Sequence, residues 1–296
     1  MTPAVSVILP AYNRADVIAR AVGSVLDQDF EEFELIIVDD GSTDDTLEVA
    51  SSFGDERIGI IRLDGNRGGN VARNEGIRAA RAPLIAFLDS DDRYLPGKLG
   101  WTVGEFQRRP EIDLLVDSFI KVQPPGSRKA EVIRRNPVIN GREAFRTALF
   151  TRQLWKATPA ISVRREVALR AGLFDETLRR LQDFDFLIRV SDIANCASSD
   201  EVLWVKYWDP AAISAQDNMI PANVELVRRH PEYLGTRAYR PGLAYALRLS
   251  LWRRLKRRDL GGMARDIRSL AHAFGGGEAA RLAFESLFPR PKLGGS

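Results

Sequence analysis

The stretch LIAFLDSDDRYLP (residues 84–96) joins an apolar run to a cluster of carboxylates. Residues 84–88 have the continuous apolar character of a strand that is buried on both faces, which is typical of a parallel sheet. Asp89, Asp91 and Asp92 follow at once, where such a strand would leave the core. Because ligands of open α/β sheets bind beyond the carboxyl ends of the strands, we predict that this acidic cluster lies at a binding crevice.

Three further apolar runs come before this stretch, and each is followed by a helical pattern. The runs are VSVIL (5–9), ELIIVDD (34–40) and IGIIRL (58–63). After the first run, apolar side chains recur at helical spacing, and Asn13 and Asp16 are spaced like a capping box. Strands of continuous apolar character that alternate with helices predict an α/β fold, with a mostly parallel, Rossmann-like sheet and helices on both faces.

The segments that follow the four strands are polar and should converge on one crevice. They contain an aromatic ring, carboxylates, and amide or guanidinium donors: Tyr12, Asp39, Asp40, Asn66, Asn70 and Arg73. With the acidic cluster, this set suits a nucleoside diphosphate whose base stacks on the ring and whose phosphates are bridged by Mg²⁺ or Mn²⁺. The sequence has neither GxGxxG after the first strand nor GxxxxGK[ST], so a metal would replace a glycine-rich phosphate loop.

Composition excludes several other classes of protein. The 296 residues are 45% hydrophobic and 28% charged, which is typical of a globular chain. A single cysteine, Cys196, and two histidines exclude a disulfide framework and a Cys- or His-rich metal site, so any metal should be a hard cation held by carboxylates. No apolar run approaches the roughly 20 residues of a membrane span, and the N-terminus reads directly into a strand, so we expect no signal peptide.

Four motifs in this order and spacing resemble family 2 glycosyltransferases, which are inverting enzymes of the GT-A fold that use nucleotide-sugar donors. The motifs are SVILPAYNR (6–14), ELIIVDDGSTDDT (34–46), NRGGNVARNEGI (66–77) and IAFLDSDDRYLP (85–96). A fifth segment, GLFDETLRRLQDFDFLIRV (172–190), is similar to the family's segment that ends in an acidic pair before a helix. The resemblance covers roughly residues 4–215 and implies a GT-A domain there.

The resemblance implies a donor site built from residues of the first four loops. Tyr12 matches the residue that stacks on the base, Asp40 matches a carboxylate at the base edge, and Arg73 matches a side chain near the nucleotide. The implied donor-binding residues are Pro10, Tyr12, Asp40, Arg73, Asp89 and Ser90. Tyr12 could instead be a half-buried aromatic that packs beside Pro10.

The resemblance also implies a metal site. Asp89 and Asp91 match the family's D-x-D pair, with Asp91 the implied direct contact to Mn²⁺ or Mg²⁺ and Asp92 a further candidate. Many relatives carry a histidine that reaches the metal from a later loop. The corresponding VKYWDPAAIS (205–214) has no histidine, and Asp209 stands near that place, so Asp209 either supplies a hard oxygen ligand or the contact is missing.

Asp183 matches the family's catalytic base. An inverting transfer needs one carboxylate that takes the proton of the acceptor hydroxyl, while a metal stabilises the departing diphosphate. Gln182 replaces the usual acidic neighbour of this base, which changes the local charge without removing the base.

These assignments have structural alternatives that the sequence leaves open. The acidic cluster and the pair Asp39–Asp40 could be turns that cap the following helices. Arg73 could pair with Glu75 or Glu56 on a solvated helix face. Asp183 and Asp185 could serve only the dipole of the helix that they begin.

We predict three regions along the chain. Residues 1–120 form the nucleotide-sugar-binding half of the GT-A domain, residues 121–215 form the acceptor-binding half with the base, and residues 216–296 form a basic helical region. From Arg237 onward there are 13 Lys and Arg against four Asp and Glu, a net charge of 13 − 4 = +9. The total of +3 leaves 3 − 9 = −6 for the preceding residues, so a basic tail follows an acidic body.

The segment LAYALRLSLWRRLKRR (243–258) predicts a basic amphipathic helix. Its leucines recur every fourth residue, and its arginines and lysine cluster at the end. Such a helix could attach to an anionic membrane surface, or its leucines could pack on the catalytic domain while its arginines face solvent. Nucleic acid is not an expected partner, because no recognition motif accompanies the basic charge.

The sequence therefore predicts a metal-dependent inverting glycosyltransferase of surface polysaccharide biosynthesis. Its expected partners are a nucleotide-diphosphate sugar, with a UDP-sugar as the default, and a saccharide or lipid-linked acceptor. The expected location is the cytoplasm, with peripheral attachment to the inner face of the plasma membrane as an option. An inactive nucleotide-sugar-binding scaffold and a nucleotidyltransferase are the alternatives, and donor turnover would separate them from the transferase.

Overall fold

The computed structural model of the protein describes residues 2–209, 219–232, 239–277 and 281. The chain forms two compact units. The first unit comprises the residues up to 210 apart from 147–152 and 178–181, and the second comprises those two short segments and the described residues from 219 onward. The region boundaries predicted at residues 120 and 215 remain predictions.

One mixed sheet of ten strands forms the centre of the first unit. Its strands are β1 (Val5–Ala11), β2 (Phe33–Asp39), β3 (Ile58–Arg62), β4 (Leu84–Phe87), β5 (Arg93–Tyr94), β6 (Leu114–Val122), β7 (Glu131–Arg134), β8 (Ile139–Asn140), β9 (Ile161–Arg164) and β10 (Cys196–Lys206). Their order across the sheet is β3-β2-β1-β4-β9-β6-β10-β5, while β7 pairs with β6 and β8 pairs with β10.

Most of the long strands run in the same direction. β1 pairs in parallel with β2 and β4, β2 with β3, and β6 with β10. β9 lies between β4 and β6 and is antiparallel to both, so β6 returns to the direction of β4. The predicted α/β class with a mostly parallel sheet is confirmed. The inserted antiparallel strand was not predicted, because the apolar pattern of a short buried strand does not specify its direction.

Seven α-helices connect these strands within the described residues up to 209, and a one-turn 3₁₀ helix spans Thr158–Ala160. The helices are α1 (Ile18–Leu26), α2 (Thr46–Ser51), α3 (Gly69–Ala79), α4 (Lys98–Arg108), α5 (Arg142–Phe150), α6 (Arg165–Arg170) and α7 (Gln182–Ile193). The apolar face predicted for the first helix is buried in α1, through Ile18, Ala21, Val22 and Val25. Apolar periodicity therefore located this helix correctly.

The capping box predicted for Asn13 and Asp16 is wrong. α1 begins at Ile18 without a side-chain cap. Asn13 adopts a left-handed backbone with φ of 51°, a conformation that asparagine tolerates better than most residues. Its Oδ1 accepts the Thr43 N–H at 2.9 Å, and its own N–H donates to Ser42 Oγ at 2.9 Å. Asn13 therefore joins the loop after β1 to the loop after β2 and does not cap its own helix.

A buried ion pair holds α4 against β6. Lys98, the first residue of α4, pairs with Asp117 in the middle of β6, and the two side chains are 0% and 1% exposed. Burial raises the pKa of Asp117 to about 6 even though the Lys98 charge acts in the opposite direction. Sequence reasoning did not single out either residue, since lysine and aspartate are seldom fully buried unless they are paired.

The second unit contains three packed helices, α8 (Met219–Arg229), α9 (Tyr239–Lys256) and α10 (Leu260–Phe274). Its described core includes Ile220, Leu226, Val227, Leu247 and Leu270. The leucine row predicted for 243–258 is divided, because Leu247 is buried whereas Leu255 is 60% exposed. None of the helices that the structure describes is long and apolar enough to cross a membrane.

One arginine of the predicted basic cluster serves the interior of this unit. Arg254 Nε donates to Asp266 Oδ2 at 2.9 Å, and Arg254 Nη1 donates to Asp259 Oδ2 at 2.6 Å. Ser250 Oγ donates to the same Asp266 oxygen at 2.5 Å. The alternative in which the arginines of this segment face solvent does not hold for Arg254, whose side chain is 11% exposed.

α3 packs on β1 through a glycine, and this contact yields a testable prediction. A Cβ at Gly76 would lie 2.5 Å from Ile8 Cγ2, whereas a Cβ at Gly23 of α1 would meet no atom within 4 Å. We expect Gly76→Ala to lower the free energy of unfolding by about 1–2 kcal/mol, because overpacking outweighs the better helix propensity of alanine.

Gly23→Ala is the matched control for this substitution. It gains the helix propensity without the clash, so it should raise the free energy of unfolding by about 0.5–1 kcal/mol. Urea denaturation of the full chain compares the two variants. Equal stabilities for both would contradict the close approach of α3 to β1.

Candidate functional site

The carboxyl ends of β1, β2 and β3 are joined by Asp40, through its carboxylate and its backbone N–H. Asp40 Oδ1 accepts the Arg67 N–H at 2.8 Å, and Oδ2 accepts the Gly68 N–H at 2.7 Å. The Asp40 N–H donates to Ala11 O at 2.8 Å. Asp40 thus shapes the turn that leads into α3. Since each carboxylate oxygen has two lone pairs, a base-edge contact would share the oxygens that already hold this turn.

Tyr12 stands at the end of β1 with its side chain open to solvent. The residue is 38% exposed, while Pro10, two residues earlier and within β1, is half-buried. An exposed ring beside the carboxyl end of a central strand offers a flat apolar face for a planar ligand. The exposure of Tyr12 therefore favours a ligand-facing ring over a half-buried aromatic packed beside Pro10.

Arg73 is buried in α3 and pairs with the acidic cluster. Its Nη2 lies 2.7 Å from Asp89 Oδ1, and the side chain is 9% exposed. The alternative of a solvated pair with Glu75 is wrong, since Glu75 pairs with Arg78 at 2.9 Å. Burial would raise the pKa of Asp89, but the nearby charges, Arg73 first and then Lys206, lower it below the ordinary range. Asp89 is therefore an ionised partner of Arg73.

Three carboxylates are crowded together in the loop after β4. Asp89, Asp91 and Asp92 each have an oxygen within 4.8 Å of the others. Burial raises the pKa of Asp91, and the Asp89 charge raises it further. Burial also raises the pKa of Asp92 to about 8, with Lys206 opposing the shift and the neighbouring carboxylates adding to it. A divalent cation with oxygen ligands would relieve this crowding, so the donor set fits Mg²⁺ or Mn²⁺.

The members of this cluster differ in their access to a ligand. Asp92 is fully buried, its Oδ1 accepts the Tyr207 N–H at 2.9 Å, and its Oδ2 lies 3.5 Å from Lys206 Nζ. Asp91 is partly exposed, and no cation of the described residues lies within ion-pair distance of its carboxylate. Asp92 therefore fastens the loop to the end of β10, and the Asp91 carboxylate is the more accessible of the two.

Asp209 lies outside this three-carboxylate group. Its Oδ2 is 3.3 Å from Arg14 Nη2, and the described metal-capable group consists of Asp89, Asp91 and Asp92. The Arg14 charge also acts on Asp89 and Asp91, so Asp209 and the cluster share a guanidinium neighbour. A metal role for Asp209 remains a prediction.

Asp183, the second residue of α7, shares the electrostatic environment of the cluster. Burial raises its pKa above the ordinary range, and the charges of Lys156, Lys206 and Arg73 act in the opposite direction. Lys206 and Arg73 are also the main cations acting on Asp89. Two of the same side chains therefore influence the pKa of Asp183 and of Asp89.

The two acids at the start of α7 play different roles. Asp185 is buried and pairs with Arg189 at 2.7 Å, one helical turn further on. Asp183 forms no ion pair of this kind within the described residues, and its Oδ1 accepts only the adjacent Phe184 N–H, at 2.8 Å. The alternative of a purely structural acid therefore fits Asp185. Asp183 has a carboxylate without an ion pair among the described residues and a raised pKa, and both properties suit a general base.

α3 also holds the segment that leads to this base. Asn70 Nδ2 donates to Asp175 O at 2.8 Å, and Asn74 exchanges hydrogen bonds of 2.9 Å with both backbone groups of Phe174. The Nδ2 group of Asn70 anchors this segment, and the expected contact of Asn70 with a nucleotide remains a prediction. Asn66 is exposed in the turn before α3. The same face of α3 thus carries Arg73 and the two asparagines that hold the segment before Asp183.

Lys206 was not identified from the sequence. It is the last residue of β10, and its Nζ lies 3.5 Å from Asp92 Oδ2. Burial would lower the pKa of Lys206, but the charges of Asp92, Asp89 and Asp91 raise it, so the ammonium persists at neutral pH. The rule that placed the other site residues at the carboxyl ends of strands could have found it.

Comparisons with known proteins agree with this geometry. Residues 6–170 match the family model described as Glycosyl transferase family 2. Over 99 residues the chain is 48% identical to "Putative teichuronic acid biosynthesis glycosyltransferase TuaG" of Bacillus subtilis, and the match covers 33% of this chain and 39% of that relative. The match therefore spans well under half of the relative's length.

Two solved structures share the fold. One is "Crystal structure of S. aureus TarS 1-349 in complex with UDP-GlcNAc", with a TM-score of 0.68, 20% identity, and coverage of 91% of this chain and 80% of that chain. The other is "Mannosyltransferase PcManGT from Pyrobaculum calidifontis in complex with GDP-Man and Mn2+", with a TM-score of 0.58, 20% identity, and coverage of 97% and 80%. At this identity the likeness concerns the fold alone. Since the family model covers more than half of the chain, the protein belongs to glycosyl transferase family 2.

Proposed function

We propose that the protein is a metal-dependent inverting glycosyltransferase that moves a sugar from a nucleoside-diphosphate donor to a hydroxyl acceptor. The observation that supports this most directly is the pairing of an acidic loop with a separate carboxylate, Asp183, under the influence of the same two cations, Lys206 and Arg73. One group of acids suits a metal and diphosphate, and the other carboxylate suits a base.

In this proposal the first three loops bind the nucleoside. The exposed Tyr12 ring stacks on the base beside Pro10, and Asp40 receives a proton donor of the base edge while it holds the turn before α3. Arg73 and Ser90 border the diphosphate. A UDP-sugar is the default donor, which is consistent with the UDP-GlcNAc complex of a protein of the same fold. GDP-Man in another such protein shows that the fold alone does not fix the base.

Asp91, together with Asp89, is proposed to hold Mn²⁺ or Mg²⁺. The metal would neutralise part of the diphosphate charge and thereby assist its departure. Asp92 positions the loop that carries these two carboxylates, through its contacts with Lys206 and Tyr207. For Asp209 to bind the metal as well, its ion pair with Arg14 would have to break. Hard oxygen donors at this spacing are the ligands that such cations prefer.

Asp183 is proposed to accept the proton of the acceptor hydroxyl. As that oxygen bonds to the anomeric carbon, the bond from this carbon to the phosphate oxygen breaks on the opposite face, so the configuration inverts. The raised pKa of Asp183 makes it a stronger base than an exposed aspartate. A saccharide or lipid-linked acceptor in surface polysaccharide biosynthesis is the proposed context, supported by the name of the Bacillus relative.

The second unit is proposed to attach the enzyme to an anionic membrane surface on the cytoplasmic side. Three apolar side chains are largely exposed there: Trp252 at 55%, Leu255 at 60% and Leu260 at 68%. Lys256 Nζ lies 3.8 Å from the centre of the Trp252 ring. Exposed apolar residues among lysine and arginine are typical of helices that lie at a lipid interface.

Asp91→Asn tests the metal assignment. The variant loses a charge from the accessible ligand, so metal-dependent binding of the nucleoside diphosphate should weaken by about 100-fold or more. Calorimetry of UDP and GDP with Mn²⁺ and with EDTA measures the effect, and Asp200→Asn, an exposed aspartate, is the control. Unchanged Mn²⁺-dependent affinity in Asp91→Asn would remove Asp91 from the metal site.

Asp183→Asn tests the base. The amide cannot take a proton, so sugar transfer should fall by about 10²–10⁴-fold while donor affinity stays within a few-fold of the native value. Single-turnover transfer and donor calorimetry measure the two quantities. Near-native turnover of the variant would exclude Asp183 as the base. Native protein that binds the donor but never transfers its sugar would favour the alternative of an inactive nucleotide-sugar-binding scaffold.

The pH profile provides a second readout for Asp183. A base acts only when it is deprotonated, so kcat/KM should fall as the pH drops through the pKa of Asp183. Because burial raises that pKa, the acid limb should lie above the value of about 3.9 for an exposed aspartate. The residual activity of Asp183→Asn should lack this limb, and a native limb at or below the ordinary value would contradict the assignment.

Trp252→Ser combined with Leu255→Ser tests membrane attachment. Removal of two exposed apolar side chains should weaken partition into phosphatidylglycerol vesicles by about tenfold or more, while Arg254 and its internal pairs remain intact. Vesicle cosedimentation measures this, with Ile133→Ser, a 52% exposed apolar residue of the first unit, as the control. Native protein that stays in the supernatant would exclude the attachment.

A further inference from the structure

Lys206 places an ammonium group beside the acidic cluster, where its Nζ lies 3.5 Å from Asp92 Oδ2. It ends β10, and its side chain is 27% exposed, so the side chain is only partly covered by the protein. A lysine ammonium has three N–H donors, and this single long contact leaves donors available to an anion.

The charge of Lys206 acts on four of the candidate acids of the site. It influences the three carboxylates of the cluster and also Asp183. When the cluster carboxylates are ionised, their formal charge is −3, and Arg73 and Lys206 bring it to −3 + 2 = −1. Without Lys206 the charge would be −2, so the crevice would attract a free divalent cation more strongly and repel a diphosphate more strongly.

The other cations near the cluster are already engaged. Arg73 is held by Asp89 at 2.7 Å, and Arg14 is held by Asp209 at 3.3 Å. Arg20 donates to the Asp91 carbonyl and lies 3.8 Å from the centre of the Tyr207 ring. Lys206 differs in that its contact with Asp92, at 3.5 Å, is longer than the contacts of Arg73 and Arg14.

We propose that Lys206 is a built-in cation of the donor site: its ammonium contacts a phosphate oxygen of the bound nucleoside diphosphate and weakens the binding of free divalent metal to the acidic cluster. This inference rests on the proposed function, since it concerns the same nucleotide crevice. It assigns part of diphosphate recognition to the protein itself. The metal and Lys206 then act on the same diphosphate from two directions.

Lys206→Met tests this role, because methionine keeps the length of the side chain and removes the charge. In EDTA, the UDP affinity measured by calorimetry should fall about tenfold, because the variant cannot form one charge-assisted hydrogen bond to the diphosphate. Without nucleotide, the Mn²⁺ affinity measured by electron paramagnetic resonance should rise about fivefold, because the ammonium no longer repels the metal ion from the acidic cluster. Lys129→Met removes the same charge from an exposed loop and should change neither value.

Two more variants control for the fold and the charge. Lys206→Arg keeps a cation and should retain most of the UDP affinity in EDTA. If Lys206→Met does not fold because Asp92 is left unpaired, the double variant Lys206→Met/Asp92→Asn removes both buried charges and should show the same loss of UDP affinity. A general loss of structure would weaken both ligands, whereas the inference requires opposite shifts.

The outcomes separate this inference from the proposed function. Native protein that binds UDP or GDP, together with a Lys206→Met variant of unchanged UDP and Mn²⁺ affinity, would overturn the role of Lys206 alone. Native protein that binds neither nucleotide, with or without Mn²⁺, would overturn the proposed function and this inference together. Opposite shifts in Lys206→Met, retained UDP affinity in Lys206→Arg and no change in Lys129→Met would support the role.

Discussion

Mutual repulsion of the three carboxylates after β4 is the constraint on which the first unit depends. Oxygens of Asp89, Asp91 and Asp92 lie within 4.8 Å of one another, and a folded chain tolerates such crowding only with compensating charge and hydrogen bonds. α3 contributes Arg73, and the end of β10 contributes an ammonium and a backbone N–H. The acidic loop is therefore stable only because α3 and the end of β10 lie beside it. In the proposed function, the diphosphate and its metal bind at this same edge of the sheet.

The polar residues of the crevice divide into those that hold loops and those that remain open. Asp40, Asp92 and Asn74 use their hydrogen-bonding groups to join one loop or element to another. Tyr12 and Asp91 keep exposed surface, and with the neighbouring base candidate they supply the chemistry of the proposal. Such a division is physically reasonable, because a site must be preorganised before its exposed groups can act on a ligand.

The second unit follows different physical rules. Its three helices pack through an apolar core and a buried network in which Arg254 and Asp266 compensate each other's charge. Several apolar and basic side chains are left on its surface, at Trp252 and Leu255 among others. The leucine row of 243–258 therefore serves two purposes, since one part builds the core and another part stays outside, a division that a regular spacing in sequence does not reveal.

The sequence by itself determined the α/β class and the family, because apolar periodicity and motif order are local properties of the chain. It located the acidic loop and α1, but it predicted a local cap for Asn13, did not predict the contact of Asn70 with Asp175, and did not identify Lys206. Only the tertiary structure decided those partners. Asn13 bonds to Thr43, Asn70 to Asp175, and Lys206 approaches Asp92, so the partners lie between 30 and 114 positions away along the chain. A hydrogen bond or ion pair depends on proximity in space, and the fold creates that proximity by bringing separate strand ends to one edge of the sheet.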